Sequence, residues 1–158
     1  MKSHRAHFLG VLGAIFALAL IPPNAQASHC SNASAAGNWA YTYTGTLFTP
    51  NGALPLASVG HYSQNTAGSV TGSQNRSVAG NSGVEDISGT VTVNPDCTGI
   101  GTIDVLVNGQ LQRTALLAIV YDSNGNHARM IFQSLTLPGN LNVPVVITLD
   151  ANRLTTTD

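Results

Sequence analysis

Few side chains in this sequence are suited to chemistry, and the strongest candidates are charged residues in the middle of the chain. Glu85 and Asp86 are consecutive, so a β-strand through them would direct one carboxylate inward and the other outward. An inward carboxylate would have a raised pKa, and Arg76 and Arg113 are the cations that could pair with it. An ion pair at the outer surface or rim of the domain explains the same residues without any catalytic role.

Two tyrosines add to this set of candidates. Tyr41 and Tyr43 stand two residues apart and share a strand face with Trp39. We expect the two rings to pack, with their hydroxyls at the mouth of a barrel, rather than to act as acids. Together with Glu85 and Arg113 they are the predicted ligand-binding residues.

Known catalytic and cofactor-binding motifs are missing from the sequence. It contains no H-E-x-x-H, no G-x-S-x-G and no glycine-rich phosphate loop before a helix. Neither cysteine has further ligands at the spacing of a zinc site, and we expect no metal and no cofactor. His61 is best explained as a surface histidine on a strand. The sequence therefore assigns no catalytic residue and leaves open whether the protein is an enzyme.

The first 27 residues are typical of a secretory signal peptide. Basic residues precede an apolar run over 8–21, and Ala25-Gln26-Ala27 supplies the small residues that a signal peptidase recognises. A membrane anchor is the alternative, but these 14 apolar residues are fewer than the roughly 20 that a spanning helix needs. We expect cleavage after Ala27, a mature domain over 28–158 without a membrane span, and a secreted or periplasmic location.

The charge of the predicted mature domain narrows the range of partners. Charged residues make up 8% of the sequence, against about 25% in a typical soluble domain. Residues 28–158 hold four arginines, no lysine and seven acidic residues, which gives a formal charge of −3. Phosphate backbones and anionic lipids attract basic surfaces. We therefore expect neither nucleic acid nor an anionic membrane surface as a partner.

Both cysteines lie in the predicted mature domain. An even number of cysteines in an exported chain favours a disulfide, and Cys30 and Cys97 allow one intramolecular bond. Such a bond stabilises a fold by an amount on the order of 4 kcal/mol in the chain-entropy model. It would join the mature N-terminus to a turn in mid-chain. Two free thiols or an intermolecular disulfide are the alternatives.

The hydrophobic pattern of the mature domain predicts strands and no helix. Apolar and polar residues alternate, β-branched residues are frequent, and turn residues interrupt them at regular intervals. The predicted strands cover 38–48, 54–64, 69–79, 84–94, 100–107, 110–121, 127–137 and 143–154. Asn108-Gly109 is the clearest turn, since both residues tolerate the positive φ of a two-residue hairpin, and Gly80-Asn81-Ser82-Gly83 is another.

These strands predict a single antiparallel up-and-down β-barrel of about eight strands. Short links require antiparallel neighbours, and none is long enough for the Greek-key connections of a sandwich. Closure would also remove sheet edges that a domain without lysines cannot protect by charge. The strands over 110–121 and 143–154 are apolar on both faces. A homo-oligomeric interface would cover the outer face, and a few exposed valines are the alternative.

A short motif at the start of the first strand connects the sequence to known barrels. Gly37-Asn38-Trp39 resembles the G-x-W opening of the lipocalins and related calycins, in which the tryptophan closes the barrel base against a basic residue of the last strand. Arg153 matches that residue, so the resemblance implies a cation–π contact with Trp39. The mature chain also looks like the shorter allene-oxide-cyclase-like barrels, which often form trimers. The segment 90–99 is similar to one in small exported bacterial proteins and implies no function.

Three functions are compatible with these expectations, because a fold alone does not fix a function. The first is a barrel that binds a small apolar molecule in its mouth, which a solidly packed interior would contradict. The second is a structural or interaction module that uses the apolar outer face, which a monomer would contradict. The third is an allene-oxide-cyclase-like cyclase or isomerase with Glu85 or Asp86 beside a tyrosine or Arg113 in a cavity. Solvent-exposed acids would contradict it.

Overall fold

Residues 30–155 are described by a computed structural model, and most of them lie in antiparallel strands. The strands are β1 (Gly37–Thr49), β2 (Gly52–Gln64), β3 (Ser69–Val78), β4 (Asn81–Val93), β5 (Thr98–Val107), β6 (Gln110–Asp122), β7 (His127–Leu137), β8 (Leu141–Asn142) and β9 (Val145–Arg153). One turn of helix, α1 (Asn32–Ala35), precedes β1, and a short 3-10 helix (Ser123–Gly125) joins β6 to β7. The predicted signal peptide, residues 1–27, lies outside the described residues.

The eight long strands form a closed barrel. Strands β1 to β6 pair in sequence order, β6 pairs with β7, β7 with β9, and β9 with β1. The short β8 pairs with the end of β7. Every long strand therefore has a neighbour on both sides, which leaves no open sheet edge among them. The predicted all-β, antiparallel up-and-down barrel of about eight strands is confirmed.

The hairpin turns follow the predicted chemistry with one difference. Asn108 and Gly109 have φ of 53° and 75°, as a two-residue turn of the mirror-image type requires. The turn after β3 was predicted over residues 80–83, but it consists of Ala79 and Gly80, with φ of 48° and 88°. Ala79 adopts the left-handed conformation at a cost of about 1 kcal/mol. In return, residues 81–83 pair with β3 and lengthen the hairpin.

Strand direction gives the barrel two different ends. The turns at residues 50–51, 79–80 and 108–109 lie at one end, which we call the open end. The segment before β1, the β4–β5 turn and the end of β9 lie at the opposite end, which we call the closed end. Buried apolar side chains from all eight long strands line the interior between them. The largest of the fully buried side chains are Trp39, Ile119 and Ile147.

The segment 30–36 covers the closed end. Cys30 and Cys97 form the predicted disulfide, with a Cα–Cα distance of 4.9 Å. The Asn32 side chain donates to the Ala67 carbonyl and accepts from the Val93 amide. The helix α1 corrects the expectation that the domain has no helix. Its single turn forms because Ser31, the residue before it, and a serine within it cap each other's backbone amides.

The G-x-W motif lies directly beneath this segment. The Arg153 guanidinium carbon is 5.1 Å from the centroid of the Trp39 ring, and the guanidinium donates to the carbonyls of Ser34, Ala36 and Gly125. The Trp39 indole donates to the Ala35 carbonyl at 3.1 Å. Gly37 has φ of +144°, and a Cβ there would lie 3.4 Å from Arg153 Nη1. The glycine therefore lets the chain turn into β1 while the arginine lies against it.

The outer face of β5 to β9 carries exposed apolar side chains. Ile100, Val120, Ile131 and Val146 are each about half exposed or more. Ala118 pairs with Ile100 on one side and with Ile131 on the other, so these three form a row across neighbouring strands. The predicted two-sided apolar character is therefore present in the folded chain, and the homo-oligomer stays a prediction. Within residues 30–155, no helix reaches the length and apolarity needed to cross a membrane.

Candidate functional site

A cluster of polar side chains lies inside the barrel, toward the open end. Alternation along β4 points Glu85 inward and Asp86 outward, and the same alternation points side chains of β1, β2, β3 and β6 into the same space. We call this group the Glu85 cluster. It consists of Tyr41, Tyr43, Ser58, Gln74, Arg76, Glu85 and Arg113.

Glu85 is the centre of the cluster and is almost fully buried, with 4% of its surface exposed. Its Oε1 accepts from Arg76 Nε at 2.9 Å and from Arg113 Nη1 at 2.9 Å. Its Oε2 accepts from Gln74 Nε2 at 2.7 Å and from Arg113 Nη2. Both carboxylate oxygens thus accept from charged donors. Arg113 binds the carboxylate in the bidentate geometry, which is the strongest arrangement for an arginine–carboxylate pair.

Gln74 connects the carboxylate to the tyrosines. The Tyr41 hydroxyl donates to Gln74 Oε1 at 2.8 Å, and Gln74 Nε2 donates to the Tyr43 hydroxyl at 3.2 Å. The Ser58 hydroxyl donates to the Asn75 carbonyl at 3.0 Å and lies 3.4 Å from the same Oε1. Gly60 makes room for this arrangement, since a Cβ there would lie 2.7 Å from the Tyr41 hydroxyl. The site therefore depends on a glycine in β2 as well as on its polar members.

The environment fixes the charge state of the cluster. Burial raises the pKa of Glu85, but hydrogen bonds from Arg113, Arg76 and Gln74 outweigh burial and bring that pKa to about 2. Burial raises the pKa of Tyr41 and of Tyr43. At neutral pH the cluster accordingly holds one carboxylate, two guanidinium groups and neutral tyrosines, a net charge of +1. The expected raised pKa of Glu85 was wrong, because both expected arginines pair with it at once.

A pocket lies between the cluster and the open end. It measures about 330 Å³. Most of its walls are apolar side chains: Leu47, Leu56, Phe132, Leu135, Leu137, Val143 and Ile147. Arg76 and Arg113 also line this pocket, with 27% and 12% of their side chains exposed. We call it the mouth pocket.

A second, smaller cavity lies deeper in the barrel. It measures about 50 Å³ and is lined mainly by apolar side chains, among them Val105, Leu117 and Ile119. Tyr43, Arg113 and Phe132 line both spaces and form the boundary between them. The described interior is therefore not packed solid, which was the condition that would have contradicted a binding function.

The structure brings the four predicted ligand-binding residues, Tyr41, Tyr43, Glu85 and Arg113, together in one cluster. It separates them from the predicted structural residues Trp39 and Arg153, which lie at the closed end. His61 is exposed on the outside, with Nε2 3.3 Å from the Ser73 hydroxyl. Gln74 and Ser58 were missed, although the alternation of β3 places Gln74 on the same face as Arg76.

His127 was also missed as a member of a charged group. Its Nδ1 lies 2.6 Å from Asp122 Oδ1, and its Nε2 lies 2.7 Å from Asp150 Oδ2. The hydrogen bond to Asp150 raises the pKa of the histidine, burial opposes it, and the bond to Asp122 adds to the rise. The hairpin position of Asp122 directly opposite His127 is the sequence signal that would have revealed the pair. In the described part of the chain, no group of three or more histidine, cysteine or acidic residues is arranged to hold a metal ion.

The sequence matches no protein-family model, and no curated protein is significantly similar to it. The eight-stranded antiparallel barrel is consistent with a calycin-like fold. The function of the cluster must therefore be inferred from the donors, acceptors and charges of its side chains. Two guanidinium groups carry ten N–H donors between them, whereas one carboxylate offers about four acceptor positions. The cluster is thus suited to hold a further acceptor beside the mouth pocket.

Proposed function

We propose that the protein is an exported barrel that binds a small, largely apolar molecule in the mouth pocket. The observation that carries this proposal is the asymmetry of the barrel. The closed end is covered by a disulfide-linked segment, and the other end holds a pocket of about 330 Å³ with mainly apolar walls. Ligand pockets of folded proteins measure about 300–1,000 Å³ and combine apolar walls with a few polar groups.

The disulfide and the N-terminal sequence support export. Disulfides persist in oxidising compartments, and the Cys30–Cys97 bond is formed in the folded chain. The signal-peptide pattern of residues 1–27 supports the same location, either secreted or periplasmic. A barrel in such a compartment meets small molecules that cross the cell envelope or come from outside it.

The properties of Glu85 favour binding over the cyclase or isomerase alternative. The third function requires an inward acid beside a tyrosine or an arginine, and Glu85 has both neighbours. However, its pKa of about 2 is far from the range in which a carboxyl group exchanges protons effectively at neutral pH. Its oxygens are also occupied by four donors. We therefore interpret the carboxylate as a fixed counter-charge.

Calorimetric titration of residues 28–158 with 1-octanol, a neutral amphiphile, tests the proposal. We expect saturable binding to one site in the wild-type protein. Val143→Trp would fill part of the mouth pocket and weaken binding about tenfold or more. Val146→Trp is the matched control, because Val146 points outward and is 59% exposed. No saturable binding of 1-octanol or of a charged analogue with the same chain by the wild-type protein, or equal loss in the two variants, would overturn the proposal.

A further inference from the structure

We infer that the natural ligand of the mouth pocket is a small monoanionic amphiphile whose carboxylate-like head group binds Arg76 and Arg113. This inference rests on the proposed binding function and deepens it by assigning the charge and polarity of the ligand. Three independent properties of the pocket support it: its charge, its donors and its size.

The charge of the pocket favours one negative charge on the ligand. The ionised members of the Glu85 cluster are two arginines and one glutamate, and none of the described residues that line the mouth pocket besides these arginines is charged. Asp104, the acidic residue of β5, accepts a hydrogen bond from the Thr114 hydroxyl. An excess positive charge beside apolar walls is unfavourable unless a counter-charge joins it. A monoanion would bring the floor of the pocket to neutrality.

The donors suit a carboxylate. Guanidinium groups present a planar fork of N–H donors that matches the two oxygens of a carboxylate. Glu85 already engages part of each group, through Arg76 Nε and Nη2 and through Arg113 Nη1 and Nη2. The N–H donors left for a ligand are Arg76 Nη1 and the remaining hydrogens of the two guanidinium groups. The contact with Glu85 fixes the two side chains before a ligand arrives. Glu85 is therefore a positioning residue, and Arg76, the more exposed of the two arginines, is the first group that a head group would meet.

The size and walls of the pocket define the rest of the ligand. A volume of about 330 Å³ corresponds to roughly ten water-sized atoms, since a water molecule occupies about 30 Å³. The apolar walls lie between the arginines and the open end, so the apolar body points toward the mouth. A medium-chain carboxylate such as octanoate has this number of non-hydrogen atoms and this distribution of charge.

Octanoate and 1-octanol, which share an apolar chain and differ in head group, separate this inference from the proposed function. In calorimetric titrations of residues 28–158 at neutral pH, we expect octanoate to bind about tenfold or more tightly than 1-octanol, since a hydrogen-bonded charge is worth that factor. If 1-octanol binds as tightly as octanoate, the inference is wrong and the proposed function stands. If neither binds, both are wrong.

Arg76→Gln tests the role of the arginine. We expect it to remove most of the preference for octanoate, with a loss of octanoate affinity at least about fivefold larger than any loss of 1-octanol affinity. Arg76→Lys, which keeps the charge but loses the fork, should give an intermediate preference. Arg129→Gln is the matched control, because Arg129 is on the outer surface with 73% of its side chain exposed.

Two results would overturn the assigned contact. One is equal weakening of both ligands by Arg76→Gln, which would mean that Arg76 only shapes the pocket. The other is a loss of octanoate preference in Arg129→Gln as large as in Arg76→Gln, which would mean a general charge effect. If Arg76→Gln does not fold, salt dependence of the wild-type protein replaces it. Octanoate affinity should then fall with ionic strength and 1-octanol affinity should not, and an unchanged octanoate affinity would contradict the contact.

Discussion

The two ends of the barrel use arginine in opposite ways. At the closed end, Arg153 lies over the Trp39 ring and donates to three backbone carbonyls, so its contacts join the covering segment to the barrel. At the open end, Arg76 and Arg113 share a single carboxylate and line a pocket. The closed end thus engages both Nη groups of its cation with carbonyls of the fold itself and leaves only Arg153 Nε without a hydrogen-bond partner among the described residues. The open end holds more donors than its one acid can use, and this surplus supports the proposed binding function.

The largest effect is expected at the closed end. Trp39 has 0% of its surface exposed and contacts Tyr62, Tyr121 and Arg153. Trp39→Ala should lower the free energy of unfolding by about 4 kcal/mol, because a large buried side chain is lost and a cavity remains. Urea denaturation measures this value, and Val59→Ala, at an outward position with 59% exposure, should change it by less than about 0.5 kcal/mol. A loss below about 1 kcal/mol would mean that Trp39 does not hold the closed end together.

The open end is expected to be almost as sensitive, but for an electrostatic reason. Glu85→Gln removes the only acid of the cluster and leaves two partly buried guanidinium groups without a counter-charge. We expect a loss of about 3 kcal/mol in the free energy of unfolding, as for one member of a buried ion pair. Asp86→Asn is the control on the same strand, since Asp86 points outward and is exposed. Similar losses in the two variants would show that position on β4, rather than the cluster, determines the effect.

Acid should weaken the open end selectively. The folded pKa of Glu85 is about 2 and its ordinary value is 4.5, so the folded state favours the ionised form. A lowered pKa contributes stability that is present above 4.5 and is lost as the pH falls toward 2. The difference in unfolding free energy between the wild-type protein and Glu85→Gln should therefore shrink by about 2–3 kcal/mol over this interval. A difference that stays constant down to pH 2 would contradict the assigned charge state.

The sequence predicted the fold better than it predicted this cluster, and the position of one turn explains part of the difference. Alternation and turn residues placed all eight long strands to within a few residues. With the third turn at residues 80–83, however, Glu85 would stand opposite Val78. The actual turn, Ala79-Gly80, places Glu85 opposite Gln74, and an alanine at positive φ is a weak sequence signal. The register error therefore hid the residue that connects the carboxylate to the tyrosines.

The charge state of Glu85 lay beyond sequence analysis for a different reason. Arg76 is near Glu85 across one hairpin, but Arg113 is on β6, two strands away, and reaches the carboxylate through the barrel interior. Whether the pKa of an inward acid is raised or lowered depends on how many hydrogen-bond donors reach its carboxylate. That number depends on the curvature of the closed sheet. Strand patterns fix which face a residue takes, but not which side chains meet across the lumen.

The smallest expected effect has the opposite pH dependence and belongs to the outside of the closed end. His127 lies between Asp122 and Asp150, which raise its pKa above the ordinary value of 6.5. A raised pKa contributes stability that is fully present below 6.5 and is lost as the pH rises through the folded pKa. Because His127 and its two carboxylate partners are near the surface, the contribution should stay below about 1 kcal/mol.

The stability of the wild-type protein, measured by urea denaturation in low salt, should therefore fall slightly between neutral and mildly alkaline pH. His127→Gln should abolish this fall, and His61→Gln should leave it in place. If instead His127→Gln altered stability on the acid side alone, the histidine would be neutral in the folded protein. The opposite slopes of the two ends would then disappear.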